Sequence, residues 1–186
     1  MANGTNSMKT KTDTGLLHIY CGDGKGKTTC AMGLCTRAAG AGLKVLICQF
    51  MKDNSTSERN VLASCPTVTW LDGPEKVRFS FQMSEEEKAQ TRIDNDARLE
   101  SVMQQAAAGG YDVLLLDEAV YAVRAGLLDE EKLIDLLRAR PAKLEVILTG
   151  QGPSQRLQDE ADYISEIRKV KHPFDRGLAA RRGIER

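Results

Sequence analysis

The run Gly22-Asp23-Gly24-Lys25-Gly26-Lys27-Thr28-Thr29 constrains the fold of this chain more than any other segment. It follows the apolar stretch Leu16-Leu17-His18-Ile19-Tyr20-Cys21 and precedes a segment with helical spacing. A strand, a glycine-rich loop and a helix start form the P-loop layout. Glycines let successive backbone N–H groups turn inward toward phosphate oxygens. The helix start adds unpaired N–H groups and the positive end of its dipole. Lys27 supplies a mobile charge, and the Thr28 hydroxyl is a candidate ligand for Mg²⁺. All eight residues, from Gly22 through Thr29, are therefore candidate nucleotide contacts. The general pattern G-x-x-x-x-G-K-[ST] places a glycine where this chain has Cys21. A flexible turn carrying solvated lysines is the alternative reading of the run.

Around this motif, strands and helices alternate. Apolar runs at Leu16–Cys21, Lys44–Phe50, Val68–Leu71, Val113–Asp117, Leu144–Thr149 and Tyr163–Val170 read as strands. Helices are expected over Lys27–Ala41, Glu58–Ala63, Glu130–Ala139 and Pro153–Glu160. A long one opens at Ser84, whose spacing to Glu87 fits a capping box, and runs to Gly109-Gly110. The segment Asp72–Met83 reads as irregular. Continuous apolar strands between helices imply an α/β fold, a mostly parallel central sheet with helices on both faces.

The 186 residues suit one domain, here residues 15–186, after a polar, mobile leader over residues 1–14. Basic and acidic side chains number 26 each, so bulk charge favours neither nucleic acid nor a membrane surface. No apolar run approaches the roughly 20 residues that cross a bilayer, and the leader lacks a signal-peptide core. A cytoplasmic location is the expectation. Cys21, Cys30, Cys35, Cys48 and Cys65 lack metal-ligand spacing and read as free thiols. The basic C-terminal run from Arg168 to Arg186 is interrupted by Asp175 and Glu185 and carries no interleaved aromatics, which argues against nucleic acid.

A second element of the phosphate site is Val113-Leu114-Leu115-Leu116-Asp117-Glu118, an apolar strand ending in two acids. Strand carboxyl ends face the ligand crevice in such folds, and a carboxylate there binds Mg²⁺ directly or through water. The segment resembles a Walker B element, with Asp117 and Glu118 as candidate metal ligands. The plain alternative makes Asp117 the cap of the next helix.

Together these residues resemble the P-loop-type corrinoid adenosyltransferases. The resemblance rests on Gly22–Thr29, Val45–Phe50, Glu58-Arg59-Asn60 and Leu116-Asp117-Glu118 with Tyr121. It extends through Thr149-Gly150, Ala161-Asp162, Ser165-Glu166, Val170-Lys171-His172-Pro173-Phe174-Asp175 and Arg182-Gly183-Ile184-Glu185. A P-loop without the first glycine is typical of that family. The resemblance implies a RecA-like P-loop fold, a homodimer, and transfer of the 5′-deoxyadenosyl group of ATP to Co(I) of a corrinoid, with triphosphate as the other product. It also implies an electron donor such as a flavoprotein reductase. Lys27 and Mg²⁺ on Thr28, Asp117 and Glu118 would then offset the charge of the leaving triphosphate, with Lys25 as a second candidate cation.

By the same resemblance, Phe79 and Phe81 would fill the lower face of the corrin and exclude an axial ligand, which eases reduction to Co(I). Phe81 stands where the family carries Trp, and Gln151 stands where members often carry Arg. Trp70 is the competing aromatic. A RecA-like ATPase or small-molecule kinase shares the P-loop and the acidic strand end and is the main alternative; a non-catalytic nucleotide-binding regulator or corrinoid carrier is a further one.

Overall fold

The computed structural model describes residues 14–74, 77–78 and 80–185. Six strands form one sheet: β1 (Leu17–Cys21), β2 (Val45–Gln49), β3 (Val68–Trp70), β4 (Val113–Asp117), β5 (Glu145–Thr149) and β6 (Tyr163–Glu166). Their spatial order is β3-β2-β4-β5-β1-β6. Every pairing is parallel. The helices are α1 (Lys27–Gly40), α2 (Arg59–Leu62), α3 (Glu85–Ala108), α4 (Ala119–Arg124), α5 (Glu130–Arg138) and α6 (Gln155–Asp159).

Two-residue periodicity divides the strands between two apolar layers. On one face, Leu46, Cys48, Leu114, Leu116, Val146 and Leu148 pack with Leu99 and Val102 of α3 and Leu133 and Leu137 of α5. On the other, Val45, Ile47, Val113, Leu115 and Ile147 pack under Ala31, Met32, Cys35 and Ala38 of α1. Small residues on α1 let its axis approach the sheet closely. The central strands β2 and β4 are buried along their whole length, as a sheet covered on both faces requires.

The expected capping box is present. The Glu87 N–H donates to Ser84 Oγ (3.2 Å), and the Ser84 N–H donates to Glu87 Oε2 (2.9 Å). Helix α4 is the helix after Asp117, to which the sequence assigns no bounds. It is short, and it follows β4 after a single residue, Glu118, in the left-handed region (φ 62). The last strand ends at Glu166 and not at Val170, because the chain there leaves the sheet edge and folds around the glycine-rich loop. The Ile167 N–H donates to the Cys21 carbonyl (2.8 Å), and the Gly24 N–H donates to the Ile167 carbonyl (2.8 Å). Among the described residues, no helix is long and apolar enough to cross a membrane.

Candidate functional site

Because all strands run the same way, their carboxyl ends share one edge of the sheet. The glycine-rich loop after β1, the turn after β2, Glu118 after β4 and Gln151 after β5 meet there around an open cleft of about 900 Å³. Residues Asp23 through Thr29, Lys52, Tyr121, His172 and Phe174 also line it.

The glycine-rich loop is shaped by its neighbours. Gly22 has φ 103, and a Cβ at this position would collide with the Ile167 carbonyl. Asp23 Oδ1 accepts the Lys169 N–H (2.9 Å), which pins the C-terminal segment to the loop and holds the Asp23 carboxyl below its usual range. Two groups from the sequence reading thus have partners within the chain: the Gly24 N–H bonds Ile167, and Asp23 bonds Lys169. Lys27 Nζ donates to the Gly24 carbonyl at 2.8 Å. Lys25 is exposed, and Thr29 lies at the mouth of the cleft.

Asp117 is the centre of the site and is fully buried. Thr28 Oγ1 (3.0 Å) and Thr149 Oγ1 (2.6 Å) donate to its Oδ1. Gln49 Nε2 (2.8 Å) and Lys52 Nζ (2.7 Å) donate to its Oδ2. Burial alone would raise the Asp117 pKa, but the Lys52 charge and these hydrogen bonds hold it below the ordinary range. Asp117 does not cap the following helix. Glu118 takes that position without a side-chain cap, so the capping alternative fails. The Glu118 N–H donates to Thr149 Oγ1 (2.8 Å). Burial and the neighbouring Asp117 charge push the Glu118 carboxyl up, partly offset by Lys52 and Lys27.

Lys52 also donates to Thr28 Oγ1 (2.8 Å) and stands 4.0 Å from Glu118 Oε1. A single cationic group therefore reaches the hydroxyl and both carboxylates. These hard oxygens suit Mg²⁺, which binds through one or two protein carboxylates and completes its shell with water and substrate phosphates. Among the described residues no cluster of three or more His, Cys, Asp or Glu is placed to hold a metal by protein ligands alone.

The aromatic candidates fall apart. Phe79 lies outside the described residues. Phe81 sits in a short 3₁₀ turn, Ser80–Gln82, and is 79% exposed. It is not among the residues lining the cleft. Its neighbour Ser80 does line the cleft and pairs with the Tyr121 hydroxyl (2.7 Å). Trp70 ends β3 and packs against the layer under α1, with Arg59 over its ring at 6.0 Å. Arg59 also pairs with Asp72 and Asn54, so it is tied to the loop framework. His172 Nδ1 accepts the Phe174 N–H (3.1 Å) and caps the 3₁₀ turn Pro173–Arg176. In the basic C-terminal run, Lys169 pairs with Asp175 and Arg181 with Glu185.

Lys52, Gln49 and Thr149 had no assigned role at the sequence level. Their signal was positional: each lies at or just past the carboxyl end of an apolar strand, where a parallel sheet gathers its polar groups.

The fold is that of P-loop nucleotide-binding proteins of the RecA-like kind. The KaiC-like protein PH0186 of Pyrococcus horikoshii OT3 shares it, with a TM-score of 0.55 and 17% identity over 86% of this chain and 75% of that one. That likeness concerns the fold alone. Residues 13–186 match the family described as ATP:corrinoid adenosyltransferase BtuR/CobO/CobP. The corrinoid adenosyltransferase of Escherichia coli (strain K12) is 36% identical over 179 residues, 93% of this chain and 86% of that protein. The corrinoid adenosyltransferase CobA of Salmonella typhimurium (strain LT2) matches to the same extent, 36% over 179 residues with 93% and 86% covered. The chain belongs to the ATP:corrinoid adenosyltransferase family.

Proposed function

We propose that this chain transfers the 5′-deoxyadenosyl group of ATP to Co(I) of a corrinoid, giving adenosylcorrinoid and triphosphate. Family membership supports the reaction. The observation that carries the residue assignment is the convergence of Lys27, Thr28, Asp117 and Glu118 at the mouth of one glycine-rich loop.

Co(I) is itself a strong nucleophile, so the protein's task is to orient C5′ and stabilise the leaving group. The N–H groups at the start of α1, from Gly26 to Thr28, face triphosphate oxygens. Lys27 exchanges its bond to the Gly24 carbonyl for a charge-assisted bond to phosphate. Thr28, Asp117 and Glu118 hold Mg²⁺, which supplies positive charge beside the triphosphate. Gln49 and Thr149 keep Asp117 oriented and ionised.

Ser80 lines the cleft and bonds Tyr121, and Phe81 follows it in the same turn. In this reading Phe81, with Phe79 two positions before it in the sequence, covers the flat face of the corrin; the exposure of Phe81 supports this. The further components are an electron donor, such as a flavoprotein reductase, and a second copy of the chain in a homodimer. The free thiols, with no disulfide among the described residues, suit the reducing cytoplasm. An anaerobic incubation with ATP and chemically generated Co(I) cobalamin tests the reading. Adenosylcobalamin should form with an equal amount of triphosphate, and steady ADP release without corrinoid would replace this reading with an ATPase.

A further inference from the structure

We infer that Lys52 is a resident cation that holds the divalent-metal position closed and must leave it when metal and ATP enter. The inference rests on the assignment of Thr28, Asp117 and Glu118 as the metal's oxygens. The Lys52 ammonium lies 2.8 Å from Thr28 Oγ1, 2.7 Å from Asp117 Oδ2 and 4.0 Å from Glu118 Oε1. These oxygens come from the start of α1 and the end of β4, and Lys52 comes from the turn after β2. Met51, just before it, adopts φ 44, a conformation rare outside glycine and one that marks a constrained turn.

A buried carboxylate without a positive partner is costly, and Asp117 is fully buried. Lys52 is the partner present. A divalent ion bound to the same oxygens would stand almost in contact with the ammonium, and their repulsion in this partly buried place opposes joint occupancy. Arrival of the metal therefore substitutes one positive charge for another and keeps Asp117 ionised throughout. The displaced side chain stays in the cleft, where its charge faces the triphosphate. Metal alone must compete with Lys52, whereas metal with ATP gives the ammonium a new anionic partner. Coupled binding of metal and nucleotide follows.

The test is Mn²⁺ binding to the full chain without nucleotide, read from the electron paramagnetic resonance signal of free Mn²⁺. Lys52→Met and Lys52→Gln should bind Mn²⁺ about tenfold more tightly than wild type, the loss of one competing charge. Adding Asp117→Asn should abolish that gain. Circular dichroism verifies folding, and Lys52→Gln, which still hydrogen-bonds Asp117, decides the matter if the Met variant unfolds. Unchanged or weaker Mn²⁺ binding by folded Lys52→Gln, with Mn²⁺ still bound by wild type plus ATP, would overturn the role of Lys52 and leave the metal site standing. If wild type plus ATP takes up no Mn²⁺, the metal site and this inference fall together.

Discussion

The Gly24 N–H donates to the carbonyl of Ile167 at 2.8 Å, so the glycine-rich loop is held by the residue that follows the last strand, β6. This bond continues the β1–β6 ladder past Cys21 and fixes the loop before any ligand arrives. Preorganised N–H groups cost little reorganisation when charge builds on a leaving group.

Gly22→Ala should therefore disrupt the loop. An added Cβ meets the Ile167 carbonyl at a φ that L residues rarely adopt. A loss of about 1–3 kcal/mol in urea unfolding is expected, with ATP binding impaired beyond that. An unchanged unfolding midpoint with native ATP affinity would remove the Ile167 contact from the loop's support.

Lys27→Ala should leave the fold intact, since its ammonium is part-buried and donates to a loop carbonyl, not to a core group. ATP affinity should fall about 10- to 100-fold, the worth of one charge-assisted hydrogen bond. Isothermal titration calorimetry measures it, and near-native turnover at saturating ATP would refute the role.

Glu118 and Asp117 should respond to pH in opposite directions. The folded pKa of Glu118 is raised, so its charge costs stability at neutral pH, and that cost is relieved as pH falls into the range between its raised value and its unfolded one. Glu118→Gln should accordingly be more stable than wild type at pH 7, and the difference should shrink on acidification. Asp117 has a lowered folded pKa, so its contribution is present above the ordinary aspartate range and disappears as pH falls through the folded value. Thermal unfolding of both proteins from pH 7 to pH 4 measures this. A pH-independent difference would show that Glu118 is not strained by its neighbour. The Mg²⁺ requirement of Glu118→Gln and of Thr28→Ala should rise as well.

Thr149→Val should destabilise the fold by about 1–3 kcal/mol, because it leaves the Glu118 N–H and one Asp117 lone pair without their partner in a buried place. Chemical denaturation reads the loss. A change below a few tenths would mean that water replaces the hydroxyl.

Phe81→Ala should lower turnover when Co(II) is reduced on the protein, and much less when Co(I) is supplied. The four-coordinate spectrum of bound Co(II) corrinoid should weaken, and Phe81→Trp should preserve it. A signal untouched by both Phe79→Ala and Phe81→Ala would sink the assignment, with Trp70 already committed to packing under α1.

The sheet, the glycine-rich loop and Asp117 were legible because each has a strong local pattern: continuous apolar runs, clustered glycines, and acids at a strand end. The bounds of helix α4 were not, since it starts one residue after an apolar strand with no side-chain cap to mark its beginning. Gln49, Lys52 and Thr149 are distant in sequence and acquire meaning only when β2, β4 and β5 are laid side by side. Strand β6 was read too long because Ile167–Val170 keeps strand-like composition while its backbone bonds turn to the loop. Phe81 was expected against a ligand, and its exposure reflects a position in a turn that packing within this chain does not bury.

The most direct measurement follows the oxygen that bridges C5′ and the α-phosphorus of ATP. With that oxygen labelled as ¹⁸O, a single anaerobic turnover with Co(I) cobalamin breaks the C5′–O bond and forms the Co–C5′ bond. The label should appear wholly in triphosphate, one per adenosylcobalamin formed. Label recovered in ADP, with phosphate released, would show cleavage at the terminal phosphate and contradict adenosyl transfer.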